Sequence, residues 1–164
     1  MQRSSVVSRS IAVLVILLAA QTAVAQGDAA GVQQLLLDAL SRGDVPTALS
    51  LFTENAVVDV ESGLCVGAPC VGKAAIKSDL ERIAADKSRH VTPLNTYVAG
   101  PLLITRFEAS SATIRSAGVD RIILWGIREM EGTKIASIRC CLPERTDPQT
   151  ARFIDWDYAH PSTR

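Results

Sequence analysis

Apolar positions recur with two different periods along this chain, and the change between them divides it. Val32, Leu35, Leu36, Ala39 and Leu40 recur at the spacing of one helix face. Asp28 stands at an N-cap position before them, and Gly43 ends the run. Asp44 caps a second, short helix with Pro46 in its first turn, where a missing N–H costs little. Ala48, Leu49, Leu51 and Phe52 supply the buried face of that helix. Ala56 to Val60 (AVVDV) is rich in β-branched residues and predicts a strand. After a loop bounded by Cys65 and Cys70, Gly72 opens a third helix that runs to Asp86, with Ile76, Leu80 and Ile83 on one side.

From His90 onward the period is that of strands. They are predicted at His90 to Val98, Pro101 to Ala109, Arg121 to Met130 and Lys134 to Leu142. Pro93 cannot donate to a ladder, so the first of these is an edge or bulged strand. Glu131-Gly132-Thr133 joins the last two as a tight hairpin. Ser110 to Gly118 reads as a turn holding one loop of helix. Pro143 to Arg164 reads as a polar tail, with a short helix starting at Asp147-Pro148-Gln149. Three helices followed by antiparallel strands make an α+β fold, helices packed on one face of a curved sheet. A sheet curved in this way leaves a conical pocket suited to a small, mostly apolar ligand.

The first residues have a different character. Arg3 and Arg9 precede an unbroken apolar run, Ile11 to Ala20, and Ala23-Val24-Ala25 supplies a small-x-small cleavage pattern. The run falls short of the about 20 residues of a bilayer span. Residues 1–25 therefore read as a cleaved signal peptide, with a retained N-terminal anchor as the alternative. A secreted or periplasmic chain of 139 residues would remain, long enough for one domain, at 26–142, and the tail at 143–164. Without Arg3 and Arg9 the 17 basic residues become 15 against 17 acidic ones, a formal charge of −2. No basic stripe points to nucleic acid, and no second long apolar segment points to a membrane span after cleavage.

The four cysteines, Cys65, Cys70, Cys140 and Cys141, suggest disulfides in an exported chain. Cys65 and Cys70 flank Val-Gly-Ala-Pro, a turn able to bring them together; a link from that loop to Cys140 or Cys141 is the rival. Cys140 and Cys141 are neighbours on a strand, where successive side chains point to opposite faces, which argues against their pairing. The spacing does not match structural zinc, and neither a metal nor another cofactor is expected.

Four segments together resemble the nuclear transport factor 2-like superfamily, and within it the SnoaL-like polyketide cyclase and ketosteroid isomerase-like branch. They are Leu40-Ser41-Arg42-Gly43-Asp44, Ala48 to Val57, Gly72 to Ile76, and Gly132 to Ile138. The resemblance spans Gly31 to Leu142 and implies a cone-shaped sheet wrapped on three helices, with a possible homodimer through the outer sheet face. Ketosteroid isomerases use a carboxylate base with a tyrosine and a protonated aspartate as oxyanion hole. In this chain the tyrosine position falls on Leu36, the base on Val60 and the aspartate on Trp125. None can do that work, and losing the base alone forfeits about 10²- to 10⁴-fold. A one-residue slip would bring Asp59 to the base position and turn Val58 and Val60 outward.

The remaining candidates follow from that register. His90 lies in an Arg-His-x-x stretch similar to one that carries an acid–base histidine in related cyclases and dehydratases. A strand-end histidine in water is the simpler reading. The implied register turns Arg121, Ile123, Trp125, Ile127 and Glu129 into the pocket, with Trp125 as an apolar wall, and Arg128 to the other side. Tyr97 is core or pocket lining, and Cys140 shares inward parity with Ile138 and Leu142. Two functions fit: a module binding a small apolar molecule or a scaffold associating through its sheet, and an enzyme of the cyclase, dehydratase or hydrolase kind using His90, with Trp125 and Asp59 as neighbours.

Overall fold

The computed structural model describes residues 29–59, 65 and 68–160. The leader read at 1–25, Val60, and the end of the tail at 161–164 lie outside the described residues. Helix α1 covers residues 29–42 and turns Ala29, Gln33, Leu36 and Ala39 into the protein. It ends at Gly43, whose φ of +74° suits glycine alone. There the N–H of Gly43 donates to the Leu40 carbonyl at 3.1 Å and that of Asp44 to the Ala39 carbonyl at 2.8 Å. Asp44 then accepts from the Thr47 N–H at 3.1 Å and caps α2 (Val45–Ser50).

Strand β1 (Phe52–Val58) starts four residues earlier than its β-branched stretch suggests, because fully buried Phe52 belongs to the sheet rather than to α2. β2 (Cys70–Val71) pairs antiparallel with it, Cys70 opposite Val58. Cys65 and Cys70 are disulfide-bonded across the intervening loop, Cα atoms 5.8 Å apart. α3 (Gly72–Ala85) buries Ile76, Leu80 and Ile83, the stripe its spacing predicts. Then come β3 (His90–Ala99), β4 (Leu102–Ser110), the short α4 (Ala112–Ser116), β5 (Ile122–Glu131) and β6 (Lys134–Pro143).

The sheet order is β2-β1-β6-β5-β4-β3. β1 runs parallel to β6 and the other neighbours are antiparallel. β3 is an edge strand, and its register shifts between Pro93 and Asn95, both consequences expected of a proline. The main core lies between the helices and the sheet, with Leu36, Phe52, Leu80, Leu103, Ile135 and Ile138 at its centre.

The segment read as a polar tail is structural. Asp147 accepts from the Thr150 N–H at 2.9 Å and caps α5 (Pro148–Ala159). The hydroxyl of buried Thr150 donates to the same Asp147 carboxylate at 2.8 Å and accepts the Ile123 N–H at 2.8 Å. Phe153 and Trp156 close a second cluster made of Ala109, Ile114, Ala117, Val119 and Ile122. Polar residues on one side of α5 concealed this face. The packing predicts that Ile154→Ala, a buried position, lowers unfolding free energy by about 2–4 kcal/mol in urea titration. A change near zero would mean that α5 is an appendage.

Candidate ligand pocket

The inner face of the sheet is set by β4. Leu103, Thr105, Phe107 and Ala109 are buried while their neighbours are half-exposed. Across the ladder they face Arg128, Gly126, Leu124 and Ile122 of β5. Those even-numbered residues therefore line the inside, and Arg121, Ile123, Trp125, Ile127 and Glu129 belong to the other face. This reverses the register implied by the family motifs, and a shift of one residue suffices to do it.

A cavity of about 350 Å³ lies between α1, the end of α3 and this inner face. Leu36, Leu37, Leu40, Ile83, Phe107 and Leu124 make its walls largely apolar. Arg128 lines it too, although only 7% exposed. Its Nη1 donates to the Gln33 side-chain oxygen at 3.0 Å, and its guanidinium lies 5.0 Å from the centre of the Phe107 ring. The same Gln33 oxygen accepts from the Thr105 hydroxyl at 2.7 Å, and Thr105 in turn lies 3.3 Å from the Thr96 hydroxyl. Gln33, Thr105 and Arg128 thus form a buried polar cluster inside an apolar cone. The Arg128 Nε has no partner among the described residues. Burial alone pulls the guanidinium down to a pKa of about 10, so it stays charged at neutral pH.

Gly126 lets this arrangement close. A Cβ there would meet the Phe107 ring at 3.0 Å and the Cys140 sulfur at 3.4 Å. Opposite it, β6 carries one residue too many: Cys140 faces Gly126 and Leu142 faces Trp125, leaving Cys141 as a bulge. The bulge breaks the alternation on which Cys140 and Cys141 were expected to diverge. Both line the cavity with their sulfurs adjacent, while Leu142 turns outward and is 60% exposed.

The outer face holds a separate polar cluster. Arg106 grips Glu144 through two bonds, Nε to Oε2 at 2.7 Å and Nη2 to Oε1 at 2.9 Å. The Trp125 Nε1–H donates to the same carboxylate at 3.0 Å, and Tyr97 stacks on Trp125 with centroids 6.3 Å apart. The Arg106 bond holds the Glu144 carboxyl below its ordinary pKa, and Glu144 raises that of Arg106. Asp147 is lowered as well: burial opposes this, but hydrogen bonds from Thr150 and Arg121 outweigh it.

Leu36 and Cys140 line the cavity. Tyr97 and Trp125 do not; they lie on the outer face, the one an expected homodimer through the sheet would use. His90 is exposed at the rim, opposite Ser110, while Val91, opposite Ala109, is the residue turned inward. Asp59 follows inward-facing, buried Val58 and is half-buried, its N–H donating to the Ile138 carbonyl at 3.0 Å. It does not line the cavity. Sequence reasoning missed Arg128, Gln33 and Thr105. One signal was available: Gln33 stands three residues before Leu36, a polar residue on the apolar stripe of α1.

No protein-family model matches the chain, and no curated protein sequence does. Solved structures do resemble it. An NTF2-like protein of unknown function from Mesorhizobium loti superposes with a TM-score of 0.57 at 17% identity, over 72% of this chain and 92% of that one. A protein assigned as a polyketide cyclase from Sinorhizobium meliloti gives 0.54 at 23% identity, over 66% and 91%. A computationally designed 17-OHP binder gives 0.56 at 19% identity, over 68% and 88%. The chain has the nuclear transport factor 2-like fold, as its motifs implied.

Two outcomes follow. Because Glu144 and Asp147 titrate lower when folded, their contribution to stability is full above their unfolded pKa, about 4, and is lost as pH falls through the folded values. Glu144→Gln should reduce stability at neutral pH and flatten its fall below about pH 4, read by thermal melts across the acid range. Arg128→Met removes a buried charge that no carboxylate among the described residues compensates. Its melting temperature should stay level or rise by a few degrees; a large drop would mean that the cation supports the fold.

Proposed function

We propose that this chain is an exported SnoaL-like domain that binds a small, mostly apolar molecule in its cone, without the ketosteroid isomerase catalytic set. The observation that carries this reading is the cavity of about 350 Å³ walled by Leu36, Leu37, Leu40, Ile83, Phe107 and Leu124. Its size falls at the lower end of ordinary ligand pockets, about 300–1,000 Å³. Leu36 stands in the wall where the resemblance puts the isomerase tyrosine, and it can donate nothing. The designed 17-OHP binder supports the idea that this architecture can hold a small molecule.

Export is supported by the basic, apolar and small-x-small order of residues 1–25 and by the Cys65–Cys70 pair, which suits an oxidising compartment. Among the described residues no helix is long and apolar enough to cross a membrane. The rival reading, an enzyme using His90 as acid–base group, lacks support. The imidazole is exposed at the rim, and no hydrogen bond joins it to a carboxylate among the described residues.

Titrating the protein with Nile red, a neutral apolar dye, should give saturable binding at one site, and no turnover of neutral ester or epoxide substrates. Leu124→Trp narrows the cavity from the sheet side and should weaken the dye at least about tenfold, or ~1.4 kcal/mol. Absence of saturable binding, or equal binding by Leu124→Trp, would overturn the reading.

A further inference from the structure

The cavity is apolar in its walls but not neutral. Of the charged residues that line it, three are cations, Lys87, Arg89 and Arg128, against a single acid, Asp86. That acid is occupied: one carboxylate oxygen accepts from the Ser88 N–H at 2.9 Å and from its hydroxyl at 2.7 Å. Asp86 is also exposed, whereas Arg128 is 7% exposed. A guanidinium so removed from water is normally matched by a carboxylate. Here its one bonded partner among the described residues is a neutral amide oxygen, shared with Thr105. Its Nε–H is left without any.

We infer that the ligand of this cone is an amphipathic monoanion, an apolar body carrying one carboxylate, and that the carboxylate pairs with the Arg128 guanidinium. The inference rests on the binding role proposed above and names the chemistry of the ligand's polar end. The apolar walls receive the body of the molecule. The Gln33 oxygen on Nη1 and the Phe107 ring at 5.0 Å from the guanidinium hold it in one orientation before the ligand arrives. A planar guanidinium suits a planar carboxylate, and such a charge-assisted pair gains strength where water is excluded. Among the described residues of the wall Arg128 is the one fully buried cation, Arg89 being half-buried and Lys87 exposed, so a monoanion matches the buried charge better than a dianion such as a phosphate. Burying a cation disfavours folding, and a bound anion would offset that cost in the complex.

The test compares decanoate with decanol by isothermal titration near neutral pH. It uses the full chain expressed through an export pathway so that its disulfides form. Decanoate should bind at one site and at least about tenfold tighter than decanol, the gain expected of one hydrogen-bonded charge pair. Arg128→Met should bring decanoate down to the level of decanol, abolishing the preference for the anion. Arg128→Lys, which keeps the charge without the fork, should fall between the two. A chemical melt of each variant establishes folding independently. Equal binding of both ligands to the unchanged protein would overturn the charge pairing while leaving the apolar cavity standing. Binding of neither would overturn the cavity reading as well. Decanoate binding that survives Arg128→Met would place the anion elsewhere and overturn the assignment.

Discussion

An unbroken antiparallel ladder between β4 and β5 decides what this protein presents to a ligand. From Leu102 opposite Glu129 to Ala109 opposite Ile122, every β4 residue has a fixed partner. Alternation then leaves no choice: whatever stands across from Thr105 and Phe107 goes inside. Gly126 and Leu124 stand there, and Arg128 follows opposite Leu103. A slip of one residue would exchange this set for Trp125, Ile127 and Glu129, and the cone would be a different site.

The guanidinium inside the cone is tolerated because its surroundings were shaped for it. Gly126 leaves the room in which the Phe107 ring packs, and that ring lies beneath the charge. Gln33 reaches across from α1 to accept from both Thr105 and Arg128. The cluster ties the first helix to the middle of the sheet through polar bonds, in a region otherwise held by non-directional apolar packing. It remains incomplete at Nε, and an incomplete buried polar cluster is a costly feature to keep for stability alone.

Further stabilising contacts lie outside the cone. α5 seals the second cluster, and its cap ties into β5 through Thr150 and Ile123. On the outer face, Glu144 binds Arg106 and Trp125 together in water-accessible surroundings, where the pairing is modest and pH-dependent. The tryptophan expected as a pocket wall thus serves the outer surface, stacked under Tyr97. The inside of the cone keeps largely apolar walls around the buried cluster of Gln33, Thr105 and Arg128.

Local pattern was enough for the elements. The stripe Ile76, Leu80, Ile83 made a helix, Gly43 ended another, Pro93 marked an edge strand with a shifted register, and Cys65 pairs with Cys70 five positions on. These depend on neighbours within a few residues, so the chain carries them in its own order. Their sequence of types was also enough for the α+β cone. Which face of β5 looks inward was not local. It depended on pairing with β4 and on a one-residue bulge at Cys141, features that leave no mark on the alternation itself. The same holds for α5, whose apolar side acquires meaning only against Ile122 and Ile114, and for Arg128, which alternation alone leaves on either face. Tertiary pairing turned it into the buried cation of the cavity, because strand parity is a two-fold choice that only a partner strand can settle.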